Sequence, residues 1–208
     1  MCIRDRFHLI EEAASSDAEI KELFVTQRGM KEWGDWLAVN KEISTFLVSD
    51  EVMTAMSDLP TPQGILAVMT LTSEDTPDFS GGWLLLDNVQ DPGNVGTMIR
   101  TADAFGMAGV LLGKGTADIY STKVLRSMQG SNYHLPVLQK DLADVIPVMK
   151  GKGFTVYGTE LNEEAHALDK VEKTEDFAII MGNEGQGVSQ EILSLTDQNV
   201  YILSLIHI

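Results

Sequence analysis

The sequence predicts an α/β protein in two parts: a small α/β domain, then a larger domain built on a parallel sheet. Three observations carry that expectation. Apolar, β-branched runs alternate with amphipathic helical stretches along nearly the whole chain. In the second part those runs are continuously apolar, as strands buried on both faces of a parallel sheet must be. Between the parts lies LTSEDTPDFSGG at 71–82, polar and acidic, with Pro77 and the pair Gly81-Gly82, a composition suited to a linker.

Each element follows from its own stretch. FHLIEEAA is helical and KELFVT a short strand. MKEWGDWLAVNK has helical spacing, with Trp33, Trp36, Leu37 and Asn40 on neighbouring turns. ISTFLVS reads as a strand, DEVMTAMSDL as a helix capped by Ser49 or Asp50, and GILAVMTL as another strand. After the linker WLLLD is a strand, residues 93–106 a helix and GVLLG a strand. STKVLRSMQG is a helix that Ser121 or Thr122 can cap, and DLADVIPVMKGKG a helix closed by glycines. FTVYGTE, FAIIMGN and NVYIL supply the remaining strands. Ligands of such sheets lie beyond the carboxyl ends of the strands. The loops at 87–96, 113–122, 158–162 and 182–188 are therefore the informative ones.

Composition narrows the function. The 208 residues carry a formal net charge of −16, which argues against a general nucleic-acid binder, because such proteins gain affinity from a basic face. A local basic site is compatible with that total, and Arg28, Lys31, Arg100, Lys123 and Arg126 are its candidates. No apolar run approaches the roughly 20 residues of a membrane span. The single cysteine, Cys2, cannot form an internal disulfide, which suits a reducing cytoplasm. The four histidines lack the spacing of a zinc site, so no metal is expected. GNEGQGVSQ ends in Gln190 where the dinucleotide fingerprint needs glycine, and GKGT at 113–116 lacks the remainder of a P-loop. The ends MCIRDR (1–6) and LSLIHI (203–208) read as sequence foreign to the fold.

Three clusters remain. In DPGNVGTMIRTADAFG, Pro92 and Gly93 set a turn and the following helix offers free amides to an anion. Gly96 removes a side chain where a backbone or ligand comes close. A plain reading, with Asn94 as helix cap and Arg100 as a solvated charge, fits these residues equally well. IIMGNEGQGVS ends a buried strand in a loop with three glycines in six residues, plus Glu184. Such a loop exposes backbone groups to a flat base edge, although a simple strand-to-helix turn before Ser189 is the alternative. In STKVLRSMQGSNYHLPV, Arg126, Ser127 and Gly130 mark a phosphate or partner contact, or an ordinary helix end with glycine cap and basic last turn.

Taken together, these three stretches resemble the SpoU (TrmH-like) family of RNA ribose 2′-O-methyltransferases of the SPOUT superfamily. D-P-G-N-V-G-T-M-I-R-T-A-D-A-F-G matches its first motif, M-G-N-E-G-Q-G-V its second, and the stretch from Ser121 to Val137 the segment between them. P-Q-G-I-L-A-V at 62–68 is similar to the small L30-like substrate-binding domain that many members carry. The resemblance implies an α/β knot in the parallel sheet, bound S-adenosylmethionine, an RNA substrate and a homodimer. It divides the chain into a 7–72 RNA-binding domain, a 73–82 linker and an 83–208 methyltransferase domain. It implies Asn94 and Arg100 as the substrate-side catalytic pair and Glu184 as organiser of the second motif. Thr159, Gly182 and Ile202 would meet the cofactor, and Arg126 and Ser127 the RNA. Ribosomal RNA is favoured over transfer RNA.

One departure stands out. The family's third motif belongs directly after Ile202, where this chain reads LSLIHI. The methyltransferase domain is therefore expected to be incomplete at its C-terminus, with weak or no cofactor binding by the chain as given. The rival expectation, from a different class, is a non-catalytic RNA-binding or dimerisation module that keeps the fold without cofactor.

Overall fold

The computed structural model describes residues 2–4, 6–70, 77–162 and 165–202. The chain divides into two compact units, residues 1–73 and 74–208. The expectations for 203–208, including the third motif, lie outside the described residues, as do 71–76 of the expected linker.

The first unit runs β1 (Cys2–Arg4), α1 (Phe7–Ala14), β2 (Ile20–Val25), α2 (Gln27–Glu32), α3 (Gly34–Val39), β3 (Ser44–Leu47), α4 (Asp50–Met56) and β4 (Ile65–Met69). Its sheet has the order β1-β4-β2-β3, with β4 antiparallel to β1 and β2, and β2 parallel to β3. Cys2–Arg4, in the segment that the sequence sets apart as foreign, thus occupies an edge strand. α1 buries Phe7, Leu9, Ile10 and Ala13, the spacing of one helical face. The single helix expected around 30–41 is broken in two. Trp33 leaves helical geometry (φ −116, ψ 14), and its ring stacks on Phe7 at 3.6 Å while Trp36 meets Phe7 edge-on at 5.5 Å. Aromatic packing outweighs helix continuation there, and Gly34, a weak helix former, makes the break cheap. Ser49 caps α4, accepting from the Val52 N–H at 3.3 Å.

The second unit runs β5 (Gly82–Leu86), α5 (Pro92–Ala104), β6 (Gly109–Leu112), α6 (Thr122–Met128), β7 (Val137–Gln139), α7 (Leu142–Gly151), β8 (Thr155–Thr159), β9 (His166–Ala167), β10 (Phe177–Met181), α8 (Gln190–Leu193) and β11 (Gln198–Tyr201). All seven strands are parallel, in the order β7-β6-β5-β10-β8-β11-β9. The five long strands are those the apolar runs predict. The two short edge strands, β7 and β9, carry no readable alternation. Trp83, Leu85, Leu111, Val156, Ala178 and Ile180 from the sheet pack with Ile146 and Met149 of α7 and Ile192 of α8. Phe79 joins the same core, edge-on to both Trp83 and Phe154, so the last residues of the expected linker are packed onto the second unit.

This order places β10 between β8, the long strand before it in the chain, and β5, the first strand of the second unit. The loop leaving β10 therefore comes back beside the loop leaving β5, and the two glycine-containing stretches meet.

Candidate active site

The site grows from the start of α5. Pro92 occupies the first helical turn, where its fixed φ suits the helix and its missing N–H costs nothing. Asp91 is the N-cap: its Oδ1 accepts from the Asn94 N–H at 2.9 Å. Asn94 is thus the third helical residue and not the cap, which leaves its side chain for other work. That side chain reaches across the sheet: Asn94 Nδ2 donates to Glu184 Oε1.

Glu184 is presented by a wired loop. Asn183 and Gly187 exchange both backbone hydrogen bonds, at 2.9 and 2.8 Å. Asn183 Oδ1 accepts from the N–H groups of Gly185 (2.9 Å) and Gln186 (3.2 Å), while its Nδ2 donates to the Asn88 carbonyl at 3.1 Å. Asp87, buried at the end of β5, accepts from the Ser189 N–H at 2.7 Å. A Cβ on Gly182 would lie 2.1 Å from the Gly187 carbonyl carbon, so this glycine is required by the loop's own return. Gly187 has φ +71 for the same turn. Asp87 and Asn183 hold the two loops together, and neither is legible in the sequence, because their partners lie about a hundred residues away.

α6 braces α5 from the other side. A Cβ on Gly96 would stand 2.4 Å from Ser127 Cβ and 2.7 Å from the Val124 carbonyl oxygen, so the close approach expected at Gly96 is that of α6. Ser127 Oγ donates to the Lys123 carbonyl at 2.9 Å, and Lys123 Nζ lies 3.2 Å from Asp91 Oδ2. The Asn94 N–H and the Lys123 ammonium hold the Asp91 carboxyl below its ordinary range. Arg126 is exposed beside Ser127.

Arg100 stands apart. Six residues along α5 carry it about 9 Å from Asn94 and about 120° round the helix. It is exposed and makes no hydrogen bond or ion pair with any described residue. Asn94 and Glu184 are joined within one chain, and Arg100 is not joined to them. Of the remaining basic candidates, Arg28 is paired with Glu32 at 2.9 Å. Among the described residues no three His, Cys, Asp or Glu side chains group closely enough for a metal.

Thr159, Gly182 and Ile202 stand at the carboxyl ends of β8, β10 and β11, three neighbouring parallel strands. Thr159 pairs in register with Val200, and its Oγ1 donates to the Ile180 carbonyl at 2.8 Å, which pins the strand end. Ile202 is 58% exposed.

Comparisons with known proteins show the family. Residues 83–205 match the SpoU rRNA Methylase family, and residues 5–67 match the MRM3-like substrate binding domain. The 23S rRNA (guanosine(2553)-2′-O)-methyltransferase RlmP of Bacillus subtilis is 40% identical over 199 residues, covering 94% of this chain and 76% of that protein. The structure of an rRNA methyltransferase from Sinorhizobium meliloti superposes with a TM-score of 0.82 at 25% identity, covering 98% of this chain and 79% of that one. The SpoU methyltransferase AviRb from Streptomyces viridochromogenes, solved with AdoMet, has the same fold (TM-score 0.84, 23% identity, 97% and 80% coverage). With an all-parallel seven-stranded sheet that brings the two glycine-containing stretches together, and with matches across both units, the chain belongs to the SpoU rRNA methylase family of RNA methyltransferases.

Proposed function

We propose that this chain methylates the ribose 2′-oxygen of ribosomal RNA, with S-adenosylmethionine as methyl donor. The observation that carries this reading is the hydrogen bond from Asn94 to Glu184, which unites two motifs lying 90 residues apart beside the strand ends. A carboxylate only accepts, so the Asn94 amide must turn its N–H towards Glu184. Its carbonyl oxygen is then left to accept from a donor, and a ribose 2′-OH is such a donor. When bound, S-adenosylmethionine supplies an electrophilic sulfonium methyl group.

The protein's share is alignment and charge. Holding the hydroxyl oxygen in line with its target removes much of the barrier by fixing orientation beforehand. A guanidinium has no lone pair suited to taking a proton, so Arg100 serves as a phosphate anchor and as a stabiliser of charge growing on the 2′-oxygen, not as a base. The proton leaves to water or to a phosphate oxygen. Thr159, Gly182 and Ile202 hold the cofactor, mostly through backbone, and Arg126 and Ser127 face the RNA.

The wider reading is of a piece with this. Residues 7–72 form the RNA-binding domain, 73–82 the linker and 83–208 the methyltransferase domain. The parallel sheet is knotted, and a homodimer acts in the cytoplasm. Ribosomal RNA is favoured because the B. subtilis relative is named for a 23S substrate. The test is transfer of tritium from labelled S-adenosylmethionine to ribosomal RNA, followed by mapping of alkali-resistant linkages. Incorporation that leaves every linkage alkali-labile excludes the ribose oxygen as the target.

A further inference from the structure

Arg100 has no described partner although a carboxylate lies within its reach. On α5 the positions three and four residues away are Gly96, Thr97, Asp103 and Ala104, so Asp103 is the one acid among these helical neighbours. Asp103 is itself engaged: its Oδ2 lies 2.9 Å from His134 Nδ1. The chain makes a particular effort to put His134 there. After α6, Gln129 (φ 52) and Gly130 (φ 95) are both left-handed, and a short 3₁₀ turn over Ser131–Tyr133 then delivers His134 to the end of α5. Asp103 also sits in the last turn of its helix, where the helix dipole disfavours negative charge. A donor at that point offsets both problems.

We infer that His134 is a positioning residue for Arg100: by occupying Asp103 it keeps that carboxylate from capturing the arginine, which stays available to an RNA phosphate. The inference rests on the RNA-side role proposed for Arg100. Asp103 and His134 need not touch the substrate. Removing the imidazole frees a carboxylate that both pairs with Arg100 and repels phosphate.

The test is RNA affinity by fluorescence anisotropy, with a labelled fragment of large-subunit ribosomal RNA and the full chain. His134→Ala raises Kd about two- to three-fold, the scale of an exposed helical ion pair. His134→Gln, which keeps a donor, stays near wild type. His134→Ala combined with Asp103→Asn returns to wild-type affinity, because no carboxylate remains to compete. A merely structural role for the turn predicts the reverse, a double variant at least as weak as His134→Ala, and that result overturns the inference. A crystal structure of His134→Ala shows the Arg100 guanidinium on Asp103, and an arginine that stays unpaired there counts against it equally. Arg100→Ala separates the two readings. If it binds RNA like wild type, the role of Arg100 falls and the inference with it. If it binds weakly while His134→Ala is unchanged, only the inference falls.

Discussion

The two ends of α5 are built on opposite principles. At its start the side chains are tied to one another: Asp91 to the Asn94 backbone and Lys123, the Asn94 Nδ2 group to Glu184, and Asn183 to four partners in its own and the neighbouring loop. Nearer its end Arg100 projects without a described partner, and Arg126 on α6 is likewise exposed. The committed end is preorganised within a single chain. The open end holds charge ready for something that the chain itself does not provide. Substitutions at the first should therefore disturb folding and function together, while those at the second should leave folding alone.

The largest expected effect is on the open side. Arg100→Ala lowers methyl transfer by about 10²–10³-fold, the usual cost of losing one group that stabilises transition-state charge, and leaves the thermal midpoint where it was. A large fall in the midpoint would place Arg100 among the structural residues and erase the contrast. Next comes the glycine loop. Gly182→Ala forces a Cβ against the Gly187 backbone and destabilises the second unit by about 1–3 kcal/mol, read from denaturant unfolding. Gly96→Ala acts in the same direction through α6. The smallest effect belongs to the cap. Asp91→Ala lowers the stability of the second unit slightly, through loss of the N-cap hydrogen bond to the Asn94 N–H. Because its carboxyl is held below the ordinary range, the stabilisation it gives is complete above the unfolded value of about 3.9 and is lost as the pH falls through the lower folded value. An acid titration of helix content should show that loss in wild type and not in Asp91→Ala.

Much of this contrast was legible in the residues, and some was not. The long strands announced themselves by continuous apolar runs, and α5 by a proline and cap-forming residues at its start. Asn94 reads as the cap in the sequence, whereas Asp91 takes that place in the structure. Pro92 decides it, since a proline in the first turn puts the cap immediately before it. The resemblance paired Asn94 with Arg100 and gave Glu184 to the second motif; the contact of Asn94 with Glu184 is hidden from the sequence, because it depends on β10 inserting between β5 and β8. The anchoring by Asp87 and Asn183 is hidden for the same reason. β7 and β9 escaped because two or three residues are too few to show a period, and the break at Trp33 escaped because Phe7, a distant residue, causes it.

Those two short strands have a consequence of their own. A parallel sheet offers a row of unpaired amides and carbonyls at each margin, a template on which other chains can add. Here the margins are β7, three residues long, and β9, two residues long. So little exposed ladder gives an incoming strand almost nothing to zip against. Among the described residues, the sheet beside the candidate site thus presents only short edges to another chain.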